Sequence, residues 1–215
     1  MTVTAKICGI NDALAMRTAV EGGASHVGLV FYPPSPRSVT PAEAAALAAI
    51  AGTRAVRTGL FVDPDDRLID GVLADVPLDL IQLHGKESPE RVRSLRRRTG
   101  RLVMKALRIG SAADVGAAEA YLEAADWLMF DALPPETMKN ALPGGNAVAF
   151  DWALLSGRAW PLPWMLAGGI NSNNVADAVR LSGARVVDTS SGVEDAPGRK
   201  NPDKIKVFLD AVAAL

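Results

Sequence analysis

Val3-Thr4-Ala5-Lys6-Ile7-Cys8-Gly9-Ile10 opens the chain with a short apolar run that ends on a thiol and a glycine. In an extended strand alternate side chains point to opposite faces, so Val3, Ala5 and Ile7 share one face and Thr4, Lys6 and Cys8 the other. The first face can pack against helices. The second carries a lysine and the only cysteine of 215 residues, which suits a strand whose other side looks into a functional interior. A lone cysteine is most often a small buried hydrophobe. Its place at a strand end, just before a glycine turn, points instead toward chemistry.

The same unit recurs along the chain. Apolar runs at 3–8, 26–31, 55–62, 78–83, 102–107, 126–131, 163–167 and 184–188 predict strands. Between them the stretches 11–22, 41–51, 65–75, 88–99, 111–124, 151–156, 173–182 and 201–214 have helical character. Strands that alternate with helices and never follow one another directly are parallel, because each return needs a crossover. Eight such units in 215 residues fit a single-domain, closed parallel (β/α)8 TIM barrel over residues 1–215, near its compact limit. An open doubly wound sheet is the alternative. Local punctuation agrees: Thr40 before Pro41, with Glu43 three residues on, reads as a capping box. Ser88-Pro89 starts another helix, while Gly22-Gly23 and Gly100 end helices ahead of the next strand.

Composition narrows the class. Hydrophobic residues at 49% and charged residues at 22% are ordinary for a globular protein with a sizeable core. A formal charge of -1 gives no global field toward nucleic acid or an anionic membrane. The arginines at 91, 93, 96, 97, 98 and 101 read as a solvated helix face, with no aromatic interleaved to stack bases. One cysteine forms no internal disulfide, which fits the cytoplasm. The N-terminus lacks the basic and apolar regions of a secretory signal. The longest near-apolar run, Ala44 to Gly52, is far short of the roughly 20 residues that cross a bilayer.

A parallel barrel gathers the C-terminal ends of its strands at one mouth, where barrel enzymes keep their active sites. There the sequence places Cys8, His84, Asp131 and Asp188. Any one of them could be a cap or a structural residue; together, at the same relative position, they are hard to assign to capping. Gly168-Gly169 after the seventh strand lets backbone approach a ligand closely, and Ser190-Ser191-Gly192 follows the eighth. That pairing matches the phosphate site barrels build from those two loops. A thiol and a carboxylate across one mouth suggest acid–base chemistry on a phosphorylated substrate. The thiolate is the basic form, so a thiol of ordinary pKa near ~8.5 needs a nearby cation, for which Lys6 and Lys105 are candidates. Asp131 suits the acid if an apolar wall retains its proton. No Cys-x-x-Cys pair and only two distant histidines give little support to a metal site, and no dinucleotide fingerprint follows the first strand. Two loops draw notice, Tyr32 to Thr40 and Ala132 to Asn146, the second long enough for a lid.

Over nearly its whole length the chain resembles the phosphoribosylanthranilate isomerases of tryptophan biosynthesis. The resemblance runs through Lys6-Ile7-Cys8-Gly9-Ile10, Gly28 to Tyr32, Ser35-Pro36-Arg37-Ser38, Gly59-Leu60-Phe61-Val62 and Gln82-Leu83-His84-Gly85. It continues through Phe130-Asp131-Ala132, Phe150-Asp151-Trp152, Ala167-Gly168-Gly169-Ile170, Asp188 to Glu194 and Pro197-Gly198. It implies a cofactor-free Amadori rearrangement of N-(5′-phosphoribosyl)anthranilate to 1-(2-carboxyphenylamino)-1-deoxyribulose 5-phosphate. By the same resemblance Asp131 is the general acid and Cys8 the general base. Arg37 holds the anthranilate carboxylate, Gly168, Gly169, Ser190, Ser191 and Gly192 hold the phosphate, and His84 and Asp188 line the site. One departure is Asn146-Ala147, where relatives often carry a further glycine.

The resulting expectation is a cytoplasmic enzyme, monomer or homodimer. It would act on a small phosphorylated molecule with no cofactor, no metal, no nucleic acid and no membrane. Two alternatives remain: another sugar-phosphate isomerase on the same barrel, or a catalytically silent barrel that binds a phosphorylated ligand.

Overall fold

Eight parallel strands close into a barrel in a computed structural model that describes residues 2–135, 137, 138, 142, 144–146 and 148–215. The strands are β1 (Thr4–Ile7), β2 (His26–Val30), β3 (Val56–Phe61), β4 (Leu80–Leu83), β5 (Leu102–Ile109), β6 (Trp127–Ala132), β7 (Trp164–Leu166) and β8 (Val186–Thr189). Closure is made by β1 and β8, whose register runs from Thr4 opposite Val186 to Ile7 opposite Thr189. The crossovers carry α1 (Ala13–Glu21), α2 (Pro41–Ala51), α3 (Asp66–Asp75), α4 (Pro89–Thr99), α5 (Ala112–Ala117) and α6 (Val175–Ser182), with α7 (Pro202–Ala213) after the last strand. The lid expected over 132–146 falls partly outside the described residues, as do Pro143 and Ala147.

Strand parity sorts the side chains into two layers. Val3, Ala5, Ile7, Val27, Leu29, Ile81, Leu83, Val103, Leu128 and Phe130 face outward and join the helices in the main core. The inward set at mid-barrel is smaller, with Leu80, Met104, Ala106, Met129, Met165 and Ala167 filling the interior. Above it, Cys8, Val30 and Leu60 form an apolar collar with Tyr32 and Val62. Inward residues at the strand ends therefore line the mouth of the barrel.

The caps form as the residue types dictate. Thr40 Oγ1 accepts from Glu43 N at 3.3 Å while Glu43 Oε2 accepts from Thr40 N at 2.8 Å, and Pro41 needs no donor at the first helical position. Ser88 caps α4, and Gly100 ends it in the left-handed region with φ 63°.

Two helical expectations are corrected. The stretch 111–124 splits into α5 and a 3₁₀ turn at Ala118–Tyr121, and 151–156 is only a 3₁₀ turn at Trp152–Leu155. In the second, Asp151 caps the start at Ala153 N, but Gly157 at φ 71° followed by Pro161 and Pro163 stops propagation. Aromatic packing fills the space a helix would have covered: Trp160 and Trp164 lie against Phe130, with ring centroids 5.0 and 5.5 Å away. An element with no counterpart in the expectation is the antiparallel hairpin β9 (Glu194–Ala196) and β10 (Arg199–Lys200), turned by Pro197-Gly198.

Candidate active site

The mouth of the barrel holds a cavity of about 740 Å³, measured out to its opening, with Cys8, Arg37, His84, Asp131 and Asp188 in its wall. Cys8 follows β1 directly; its backbone N–H donates to Thr189 O at 2.9 Å, which fixes the thiol against β8. Gly9 at φ 72° then turns the chain, and Gly9 and Ile10 both donate to Gly28 O. Gly28 leaves room for the sulfur: a Cβ there would lie 3.0 Å from Cys8 Sγ and 3.3 Å from Lys6 Cε.

The electrostatics of Cys8 come from two strands and the hairpin. Burial pushes the thiol up from its ordinary value, and Asp188 pushes the same way. The Lys6 and Lys200 charges pull it down without cancelling the burial. Lys6 lies wholly buried with its Nζ 2.7 Å from Asp188 Oδ1. Burial favours its neutral form, but Asp188 and Cys8 outweigh that and hold the ammonium charged. The register of β1 against β8, Lys6 opposite Asp188, makes this pair.

The second expected cation is elsewhere. Lys105 sits between the inward residues Met104 and Ala106, so parity turns it outward. There its Nζ donates to Gly85 O and to Glu87 Oε2, both at 2.7 Å. It braces the β4 exit loop and leaves Cys8 to Lys6 and Lys200.

Across the mouth, Asp131 is held at the end of β6 by two contacts. Oδ1 accepts from Ala132 N at 2.9 Å, and Oδ2 lies 3.1 Å from His84 Nε2. The wall around this carboxyl is thus partly polar, not only the apolar one expected. His84 Nδ1 is in turn 3.1 Å from Gln82 Nε2, two residues earlier on the same inward face. Gln82, His84 and Asp131 form one buried chain.

Arg37 reaches the mouth from the β2–α2 loop. Its Nε and Nη2 each meet one oxygen of Glu194 at 2.8 Å, and Nη2 also lies 3.3 Å from Gly145 O in the long loop. On the opposite side, Gly168 and Gly169 have φ 89° and 64°, and a Cβ on either would meet backbone of the β6 exit or of residues 148–149 within 3 Å. These turns therefore require glycine. Ser190 and Ser191 stand beside them at the end of β8, the second opening a 3₁₀ turn through Val193.

The model of the N-(5′-phosphoribosyl)anthranilate (PRA) isomerase family matches residues 5–211. The chain belongs to this family. The PRA isomerase of Paramagnetospirillum magneticum is 59% identical over 211 residues, covering 98% of this chain and 97% of that protein. The crystal structure of the Thermotoga maritima PRA isomerase has a TM-score of 0.88 at 35% identity, over the full length of both chains. A PRA isomerase in complex with reduced 1-(o-carboxyphenylamino)-1-deoxyribulose 5-phosphate has a TM-score of 0.83 at 33% identity, again over both full lengths.

Of the residues singled out by the resemblance to PRA isomerases, Cys8, Arg37, His84, Asp131, Gly168, Gly169, Asp188, Ser190 and Ser191 all line the same cavity. Gly192 lies one position further into its turn, where a Cβ would meet Thr189 Oγ1 at 2.7 Å. Three contributors had no role in the sequence reading: Gln82, Glu194 and Lys200. Gln82 carried a signal, since it shares strand parity with His84. Glu194, quoted only as the end of a stretch shared with the family, acts through Arg37, 157 residues away in sequence, and Lys200 acts on Ser190 and Glu194 across a hairpin that the sequence reading did not foresee.

Proposed function

We propose that this chain converts N-(5′-phosphoribosyl)anthranilate to 1-(2-carboxyphenylamino)-1-deoxyribulose 5-phosphate, a step of tryptophan biosynthesis, by acid–base catalysis and without a cofactor. The observation that carries this reading is the single cavity with Cys8 on one wall, Asp131 on another and the glycine turns of β7 and β8 beside them. In the proposed path Asp131 protonates the furanose ring oxygen, so the ring C–O bond opens and the anilino nitrogen supplies the electrons of a Schiff base. Cys8 then takes the proton from the sugar C2, and the enolamine tautomerises to the ketone. For that step the thiol must ionise, and the Lys6 and Lys200 charges offset part of what burial costs the thiolate. His84 orients the Asp131 carboxyl through the 3.1 Å contact.

The ends of the substrate find matching groups. With Nε and Nη2 engaged by Glu194, Arg37 offers its Nη1 group to the anthranilate carboxylate. Backbone N–H groups at Gly168, Gly169 and Gly192, with the Ser190 and Ser191 hydroxyls, take the phosphate. Asp188 serves indirectly, by neutralising Lys6 below the site. One barrel is the whole catalytic unit and works in the cytoplasm on a small phosphorylated substrate, with neither nucleic acid nor membrane as partner. No helix among the described residues is long and apolar enough to cross a membrane. A T. maritima structure describes monomers generated from a dimeric isomerase, and the present chain is taken as a monomer or homodimer.

The test follows the loss of anthranilate-type fluorescence when purified protein meets freshly generated phosphoribosylanthranilate. Fast decay is expected, with Cys8→Ala and Asp131→Asn each slowing turnover on the order of 10²-fold or more. No decay above the spontaneous rate would leave a barrel for another sugar phosphate. Unaltered ligand affinity with no turnover in any form would mark a silent binder.

A further inference from the structure

Glu194 is a buried carboxylate beside the cavity that two cations engage at once, and it takes no part in the proton transfers above. Its Oε1 accepts from Arg37 Nε at 2.8 Å and from Lys200 Nζ at 2.7 Å, and its Oε2 accepts from Arg37 Nη2 at 2.8 Å. All three side chains are almost fully buried. Lys200 spends its other donors on Ser190, meeting the carbonyl at 2.9 Å and the hydroxyl at 3.2 Å. A hydroxyl that accepts from an ammonium keeps its own hydrogen for another partner, so Ser190 is set as a donor into the cavity it lines. Burial alone would push the Glu194 carboxyl up, but the Arg37 bonds and the Lys200 charge hold it below its usual range.

Stability does not account for such a cluster. Buried ion groups are often matched or bettered by apolar residues of the same volume. What they supply is fixed direction. One oxygen of this carboxylate, Oε1, accepts from both cations, Arg37 assigned to the carboxylate end of the proposed ligand site and Lys200 bonded to Ser190 at the phosphate end, and it screens them from each other.

We propose that Glu194 is a positioning residue that couples the two ends of the substrate site, aiming Arg37 at the carboxylate end and, through Lys200, the Ser190 hydroxyl at the phosphate end. This rests on the assignment of Arg37 and Ser190 to those ends. The hairpin β9–β10 is what delivers it: Glu194 opens β9, Lys200 closes β10, and the two are paired in register.

Glu194→Gln keeps the volume but faces an amide donor toward Arg37 or Lys200, breaking the fork. The expected result is a KM for phosphoribosylanthranilate raised on the order of 10-fold, with kcat changed much less. The inhibition constant of inorganic phosphate should rise as well, although among the described residues the Glu194 side chain hydrogen-bonds Lys200 and Arg37 and none of the groups assigned to the phosphate. A merely structural role would lower the melting temperature and leave both constants unchanged in the protein that remains folded, and that outcome overturns the proposal. Should Glu194→Gln not fold, Lys200→Met carries the test: a raised phosphate inhibition constant supports the coupling, and an unchanged one overturns it. Arg37→Ala and Ser190→Ala serve as controls on the underlying assignment. If neither raises KM, the assignment of the two ends fails; if they do while Glu194→Gln leaves KM unchanged, only the coupling fails.

Discussion

Lys6 and Cys8 share one face of β1, and the sulfur needs the space that Gly28 leaves on the neighbouring strand. A methyl group at position 28 would press on Cys8 Sγ at 3.0 Å and on Cys8 Cα at 3.1 Å. The first is a movable side-chain atom; the second is backbone, which gives less readily. Gly28→Ala should therefore cost about 1–3 kcal/mol of stability by overpacking, and it should lower kcat more than it raises KM, because the proposed base moves and the groups proposed to hold the ligand do not. Thermal melts and steady-state kinetics on the same preparation separate the two effects. A variant with normal kcat would show that the thiol has more freedom than the contacts suggest. Lys6 carries a different weight. Replacing it with Met leaves Asp188 buried without its cation, which should cost about 3–5 kcal/mol and is read as a fall in the urea midpoint.

At the scale of elements, strand parity explains both what the sequence disclosed and what it withheld. Cys8, His84, Asp131 and Asp188 were legible because each ends an apolar run, and parallel strands bring such ends together. Lys105 misled because its strand membership is plain while its direction depends on register; Met104 and Ala106 take the inward places. The 3₁₀ turn at Trp152–Leu155 had helical composition, but its length was decided by glycine and prolines downstream. The roles of Glu194 and Lys200 were not legible, since Glu194 meets Arg37 157 residues away and Lys200 meets Glu194 through a hairpin with no counterpart in the expectation. The hairpin that holds them meets the β2–α2 loop at Gly198, where φ is 80° and a Cβ would collide with Pro36 O. Gly198→Ala should cost about 1–3 kcal/mol of stability as strained backbone and, by shifting both segments, raise KM several-fold. At the other end of the barrel His26 opens β2, its ring edge-on to Trp127 with centroids 5.5 Å apart. Burial, with the Lys6 charge adding to it, pushes this imidazole down to about 4 from an ordinary 6.5. Between those values the unfolded chain binds a proton that the folded chain does not. Stability should thus fall as pH drops from about 6.5 to about 4, by up to about 3 kcal/mol, and be fully present above. Urea midpoints at pH 7 and pH 4.5, for the native chain and His26→Gln, check the sign: the variant should lose less on acidification.

For the whole molecule, closure makes the first strand and the last helix neighbours. β1 lies between β2 and β8, and α7 packs on β1 and α1, so the two ends of the barrel repeat support each other. The apolar side of α7 buries Ile205, Phe208, Leu209 and Val212. Each such side chain contributes about 1.5–3 kcal/mol on burial, so the four together supply about 6–12 kcal/mol. That is the same order as the net stability of an ordinary domain, about 5–15 kcal/mol. The helix meets the proposed site at its edge, packing on the Ser191–Val193 turn with Lys204 Nζ 2.8 Å from Glu194 O, and without it β1 loses its cover, and β1 carries Lys6 into Cys8. A chain ending at Lys200 should consequently fail to fold, whereas Phe208→Ala alone should cost about 3–5 kcal/mol and still fold. Folding of the truncated chain to a protein with native near-ultraviolet dichroism would mean that seven crossovers suffice to hold the ring. A drop in the Phe208→Ala melting temperature with kcat and KM unchanged would place α7 among the elements that support the mouth without shaping it.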